Sequence, residues 1–152
     1  MNFLEDERGF GVEDTPFMLV MTVIVLLVTV SIAVSVMMMF VEGNKYQKAA
    51  DAGIEIYKYA RIATLGDVGS KQSFNVEVPN DYYIVINGGV EVLHEQKKTY
   101  ENGTGYFENQ TVGERMSLES KDITGPTLYP GDYRLVLNYT NTDTIEVESK
   151  TI

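Results

Sequence analysis

PFMLVMTVIVLLVTVSIAVSVMMMFV, residues 16–41, decides how this chain is built. The run holds 26 residues and no charged side chain. As a helix it is about 39 Å long, enough to cross the roughly 30 Å hydrocarbon layer of a bilayer with some tilt. Only Thr22, Thr29, Ser31 and Ser35 interrupt its apolar character, and their hydroxyls can bond back to the helix backbone. Three readings fit such a segment: a cleaved secretory signal, an uncleaved single-pass anchor, or a helix that rests in the membrane first and in a filament core later. The secretory signal fits worst. The run is about twice an ordinary signal core, the residues before it are acidic, and no A-x-A cleavage site follows.

The residues upstream bear on the choice. They read MNFLEDERGFGVEDT, residues 1–15. Thr15-Pro16 predicts a helix start, with Thr15 as the N-cap and Pro16 at the first helical position. Glu13 and Asp14 stand beside the positive end of that helix. Arg8-Gly9 followed by Phe10, a short polar step, an acid and a long apolar helix resembles the class III signal of archaeal type IV pilins and archaellins. The resemblance covers residues 8–65. It implies a cut between Gly9 and Phe10 by a prepilin peptidase on the cytoplasmic side. Asp14 would then stand fifth in the mature chain, where many type IV pilins carry a Glu that neutralises a neighbour's terminal amine. Glu13 is an equally placed partner for that pairing. The resemblance further implies membrane insertion, assembly machinery, and a homo-oligomeric helical filament at the cell surface, where such filaments serve adhesion.

Downstream, residues 42–66 read EGNKYQKAADAGIEIYKYARIATLG. The absence of Pro and the recurrence of Tyr46, Ala50, Gly53, Tyr57, Ala60 and Thr64 at spacings of three and four predict an amphipathic continuation of the helix. Gly66 is expected to end it, with Lys58 and Arg61 near its negative end. Gly43-Asn44 marks a soft spot between the halves. The small residues of this segment suit close packing against a sheet.

From residue 70 the period changes to two. Strands are expected over 73–78, 81–86, 90–95, 99–107 (broken at 102–105), 115–118, 133–139 and 144–149. Asn87-Gly88-Gly89 between two apolar runs is a strong hairpin signal, and Asn141-Thr142-Asp143 reads as a second turn. The fold class is therefore α+β: a long N-terminal helix, then an antiparallel sheet or small sandwich. The domain plan is a leader and helix start at 1–15, an apolar helix at 16–41, its amphipathic continuation at 42–66, and a β-rich head at 67–152.

Composition narrows the function. There are 22 acids against 12 bases, for a net charge of −10, which argues against nucleic-acid binding. With no Cys and one His, His94, neither disulfides nor thiolate or multi-His metal sites can form. His94 reads as a surface residue of a strand. Residues 66–71, GDVGSK, lack phosphate-loop spacing and read as a helix-to-strand turn. No calcium-loop spacing or catalytic constellation is evident, so no enzyme, cofactor or metal is expected. The charge bias across the helix, with Arg8 before it and Lys45, Lys48, Lys58 and Arg61 after it, would by itself place the head in the cytoplasm. Three N-x-S/T sequons, at Asn102, Asn109 and Asn138, point outside instead. On these grounds the expectation is a structural, glycosylated pilin-like subunit with its head outside. A permanently anchored, non-polymerising β-domain with an accessory or envelope-binding role is the alternative.

Overall fold

The computed structural model describes residues 14–100 and 103–152. It is α+β: one long helix, α1 (Asp14–Ala63), precedes seven strands. These are β1 (Lys71–Val78), β2 (Tyr82–Ile86), β3 (Val90–Thr99), β4 (Gly105–Thr111), β5 (Asp122–Thr124), β6 (Gly131–Asn141) and β7 (Thr144–Thr151). The chain divides into two compact units at Glu42/Gly43.

Helical hydrogen bonding in α1 continues through Gly43 and Asn44 without a break. Among the described residues the helix already includes Asp14 and Thr15, so Thr15 is helical and not the expected N-cap. Pro16 is tolerated there because first-turn amides have no partner within the helix. The other end comes at Ala63, three residues before Gly66. Leu65 and Gly66 then donate to the carbonyls of Ile62 and Ala63 in a tightened last turn. Residues 66–70 form the expected turn into β1, with the Gly69 amide donating to the Tyr139 carbonyl at 2.7 Å.

The strands form two sheets. One has the order β1-β6-β7-β5 and the other β2-β3-β4. Every pairing is antiparallel except β5 with β7, which run parallel. The expected α+β class, a long helix followed by an antiparallel β-rich head, holds, with β5–β7 the one parallel pair. β5 itself escapes the sequence pattern: it spans three residues, of which only Ile123 is buried. The strand expected at 115–118 is instead a loop held by two isolated bridges, Met116 with Val90 and Leu118 with Lys121. The segment expected at 99–107 is the hairpin joining β3 to β4. Asn87-Gly88-Gly89 turns β2 into β3 as expected. Gly88 adopts φ 64°, and the Arg115 guanidinium donates to the Asn87 carbonyl. At the second predicted turn the Asp143 amide donates to the Asn141 side chain at 2.9 Å.

One core joins the inner faces of both sheets to the second half of α1. Alternation sorts each strand. Phe74, Val76 and Val78 on β1, Leu135, Leu137 and Tyr139 on β6, and Ile84 and Ile86 on β2 all point inward. The helix contributes Ala49, Ala52, Gly53, Ile56, Ala60 and Ala63. This stripe is displaced from the expected one. Tyr46 is 49% exposed and Tyr57 only half-buried, while Ile56 is fully buried. Tyr59 stacks on Phe74 with ring centroids 4.1 Å apart. Small residues dominate the buried stripe because the backbone comes close to the sheet. A Cβ on Gly53 would lie 2.4 Å from Val92 Cγ2.

Candidate functional site

Two surfaces qualify as functional, one in each unit. The first is the apolar half of α1. All of residues 17–41 are exposed, among them Met39 at 73% and Phe40 at 75%. Leaving a Leu, Ile, Met or Phe side chain in water forfeits about 1.5–3 kcal/mol each, so the segment forfeits tens of kcal/mol in total. Typical domain stability is about 5–15 kcal/mol. Such a surface must be covered by something apolar. The helix is long and apolar enough to cross a membrane.

Its hydroxyls are already satisfied. Thr22 donates to the Met18 carbonyl, Thr29 to Val25 and Ser31 to Leu27, each at 2.8 Å, and Ser35 donates to Ser31 at 2.9 Å. An unsatisfied hydroxyl in hydrocarbon would cost several kcal/mol; these four carry no such penalty. Chemically, the segment offers an apolar surface on every side and no reactive group.

The second surface is a cleft of ≈ 710 Å³ in the head, lined by Lys45, Asn80, Asp81, Tyr82, Tyr83, Glu95, Asn109, Tyr129 and Pro130. Four kinds of segment build it: the second half of α1, the turn between β1 and β2, the three strands of the smaller sheet, and the loop before β6. In the turn, the Tyr82 amide donates to the Pro79 carbonyl at 3.3 Å. Asp81 there takes φ 74°, a left-handed conformation uncommon outside Gly, Asn and Asp. Two contacts hold it: its carbonyl accepts from the Glu95 amide at 2.8 Å, and its carboxylate meets Lys45 Nζ at 3.2 Å. Lys48 similarly reaches Glu77 at 3.2 Å. Both pairs are largely exposed and add little stability.

Tyr83 and Tyr129 form one wall of the cleft, with ring centroids 6.4 Å apart. Burial and the adjacent Glu95 carboxylate push the Tyr83 phenol above its ordinary value of 10.0. His94 is half-buried and stacked on Tyr82 at 4.5 Å, not a plain surface residue. Its Nδ1 lies 3.3 Å from Gln96 Nε2.

Beyond this cleft, β3 and β4 extend as a ribbon whose tip is held by the Tyr100–Tyr106 stack at 4.2 Å and by the Lys98–Glu108 ion pair. That pair raises the Lys98 ammonium above its usual range, through the hydrogen bond first and the charge second.

The residues singled out for processing, Arg8, Gly9 and Phe10, lie outside the described residues, as do Glu13 and Asn102. Asp14 is the first residue of α1. The two described sequons differ. Asn109 is exposed on β4, an outer strand of the smaller sheet. Asn138 is half-buried on β6, between Lys71 of β1 and Glu146 of β7. Among the described residues, no three His, Asp or Glu side chains come together as metal ligands would. The cleft was out of reach of sequence reasoning, because its residues are spread from Lys45 to Pro130. Asn109 is its one member that lies in a sequence motif of functional meaning, the sequon.

These features define a class of chain: a membrane-length N-terminal helix whose second half is built into the core of a β-rich head. No protein-family model, curated protein or solved structure matches it.

Proposed function

We propose that this chain is a non-enzymatic structural subunit of a surface filament of the archaeal type IV pilus kind. The observation that carries the reading is the single helix α1, exposed on every side over residues 17–41 and buried along one stripe over 49–63. A filament subunit needs both properties in one element. The first half rests in lipid before assembly and packs with its copies afterwards, and the second half carries the head. In water, burying the first half yields about 25 cal/mol per Å². In lipid the gain comes from helix packing instead. Arg8, Gly9 and Phe10 form the processing site for a prepilin peptidase, and Asp14 or Glu13 pairs with the terminal amine of a neighbour. The membrane inserts the chain with its head outside, and the assembled filament is extracellular. Support for the outer placement comes from the three sequons, against the charge bias noted above.

The anchored alternative uses the same helix and keeps it in lipid permanently. Intact mass and N-terminal peptide analysis of protein recovered from its native cell surface separates the two. A mature start at Phe10, together with loss of processing and of filaments in Gly9→Val, is the expected result. A start at Met1 with unchanged behaviour in Gly9→Val would overturn the filament reading and leave the anchored domain.

A further inference from the structure

The cleft of the head contains a residue that can be extended covalently. Asn109 lines it, is exposed, and heads the sequon Asn109-Gln110-Thr111. Its direct partner across the ladder is Glu95, also in the lining. Tyr129 is 64% exposed beside it, a large ring left in water with only Tyr83 to stack on. An exposed tyrosine ring, a half-buried one beside it, a carboxylate and amides around a cleft of this size are the chemistry that holds a sugar. The ring faces take the C–H groups of a pyranose, and the polar side chains take its hydroxyls. Asn138 has neither feature: it is half-buried and flanked by strands on both sides.

We propose that Asn109 carries an N-linked glycan and that the cleft walled by Tyr83 and Tyr129 seats its first sugars. The proposal rests on the outer placement of the head. The attachment needs an external donor, an oligosaccharide activated as a lipid-linked phosphate ester, and a transferase. The Asn109 amide nitrogen forms a bond to the anomeric carbon. The bond from that carbon to the phosphate oxygen breaks, the lipid phosphate leaves, and the amide proton passes to a base. No electrons are exchanged. Thr111 Oγ1 donates to Glu91 Oε1 at 3.0 Å in the folded head and remains exposed. Once attached, the sugar covers rings that water now faces and ties β4 to the turn carrying Asp81.

The test uses the full chain purified from its native cells in detergent. Glycopeptide mass spectrometry is expected to find sugar on Asn109. Thermal unfolding of the head is then followed in the wild type, Asn109→Gln, Tyr129→Ala and Phe107→Ala, and in each of the last two combined with Asn109→Gln. Tyr129→Ala is expected to lower the midpoint by about 4 °C in the glycosylated chain and to leave the Asn109→Gln background unchanged. Sugar on Asn102 or Asn138 but not on Asn109 would overturn the proposal and leave the outer placement standing. An unmodified chain whose head resists protease in intact cells would overturn both. An unmodified chain whose head is cleaved in intact cells would overturn the glycan alone. Equal effects of Tyr129→Ala in both backgrounds would overturn the seat. So would a glycan-dependent loss confined to Phe107→Ala, since Phe107 shares a face of β4 with Asn109 but lies outside the cleft lining.

Discussion

The two halves of α1 are apolar in different ways. Over residues 17–41 every position is exposed and nearly every one is apolar, so the helix has no preferred face. Over residues 49–63 one stripe is buried, and its members are alanines, a glycine and one isoleucine. The opposite side carries Asp51, Glu55, Lys58 and Arg61, all exposed. A helix that is apolar all round has to be covered from outside its own chain. A helix with one narrow stripe of small residues is fitted to a particular neighbour at short range. The same element therefore carries two specifications. The first half asks only for a low-dielectric surround; the second fixes a backbone-to-sheet distance.

Substitutions can break this contrast. Ile56→Ala should have the largest effect, destabilising the head by about 2–5 kcal/mol, because Ile56 is fully buried in the common core. Leu26→Ala in the other half should leave the unfolding midpoint of the head unmoved. Chemical denaturation of the two variants in the same detergent compares them directly. Leu26→Arg reverses the test. It should weaken membrane insertion by about 3–4 kcal/mol, read by fractionation, and leave unfolding of the head unchanged. A drop in head stability with Leu26→Arg would show that the halves are not independent.

Gly53→Ala sharpens the distance claim. Its Cβ would sit 2.4 Å from Val92 Cγ2 and 3.3 Å from Met116 Cε, so about 1–3 kcal/mol should be lost to overpacking. Gly43→Ala meets nothing within 4 Å and should gain a few tenths of a kcal/mol or more through helix propensity, up to about 1 kcal/mol. The smallest effect is expected at Ser70, whose buried hydroxyl has no hydrogen-bond partner among the described residues. Ser70→Ala should be neutral or stabilising by up to about 1 kcal/mol; a clear loss would mean that Ser70 Oγ has a partner in solution.

The course of α1 was legible in the sequence because charge-free length and the three–four spacing are strong local signals. Its phase was not. Tyr46 satisfies the spacing but is exposed, and Tyr57 packs only at the margin of the core; Ala49, Ala52 and Ala63, small residues suited to close packing, are buried with Ile56 instead. The turns at residues 87–89 and 141–143 were legible from Asn and Gly, whose turn chemistry is local. β5 was not, because a three-residue strand exists only by virtue of its parallel partner β7. The processing residues Arg8, Gly9 and Phe10 are a matter of sequence pattern alone. The cleft is the reverse case. Asn109 was marked, but Lys45, Asp81, Glu95 and Tyr129 are brought to it only by tertiary folding, and the left-handed turn at Asp81 carries no Gly to announce it.

The order of the larger sheet has a consequence for biosynthesis. β6 lies between β1 and β7, pairing Lys71 with Asn138 and Tyr133 with Thr151. The first strand of the head therefore has no edge to join until some sixty residues later have been synthesised. Its sheet stays incomplete until residue 151 has left the ribosome. By then residues 16–41 have long since been available to the membrane. Under the proposed membrane insertion, the helix would therefore be complete before the larger sheet could close. Pairing strands so distant in sequence is slow, on the order of milliseconds to seconds. Under the proposed export, that delay would leave the larger sheet unpaired while the chain is being translocated.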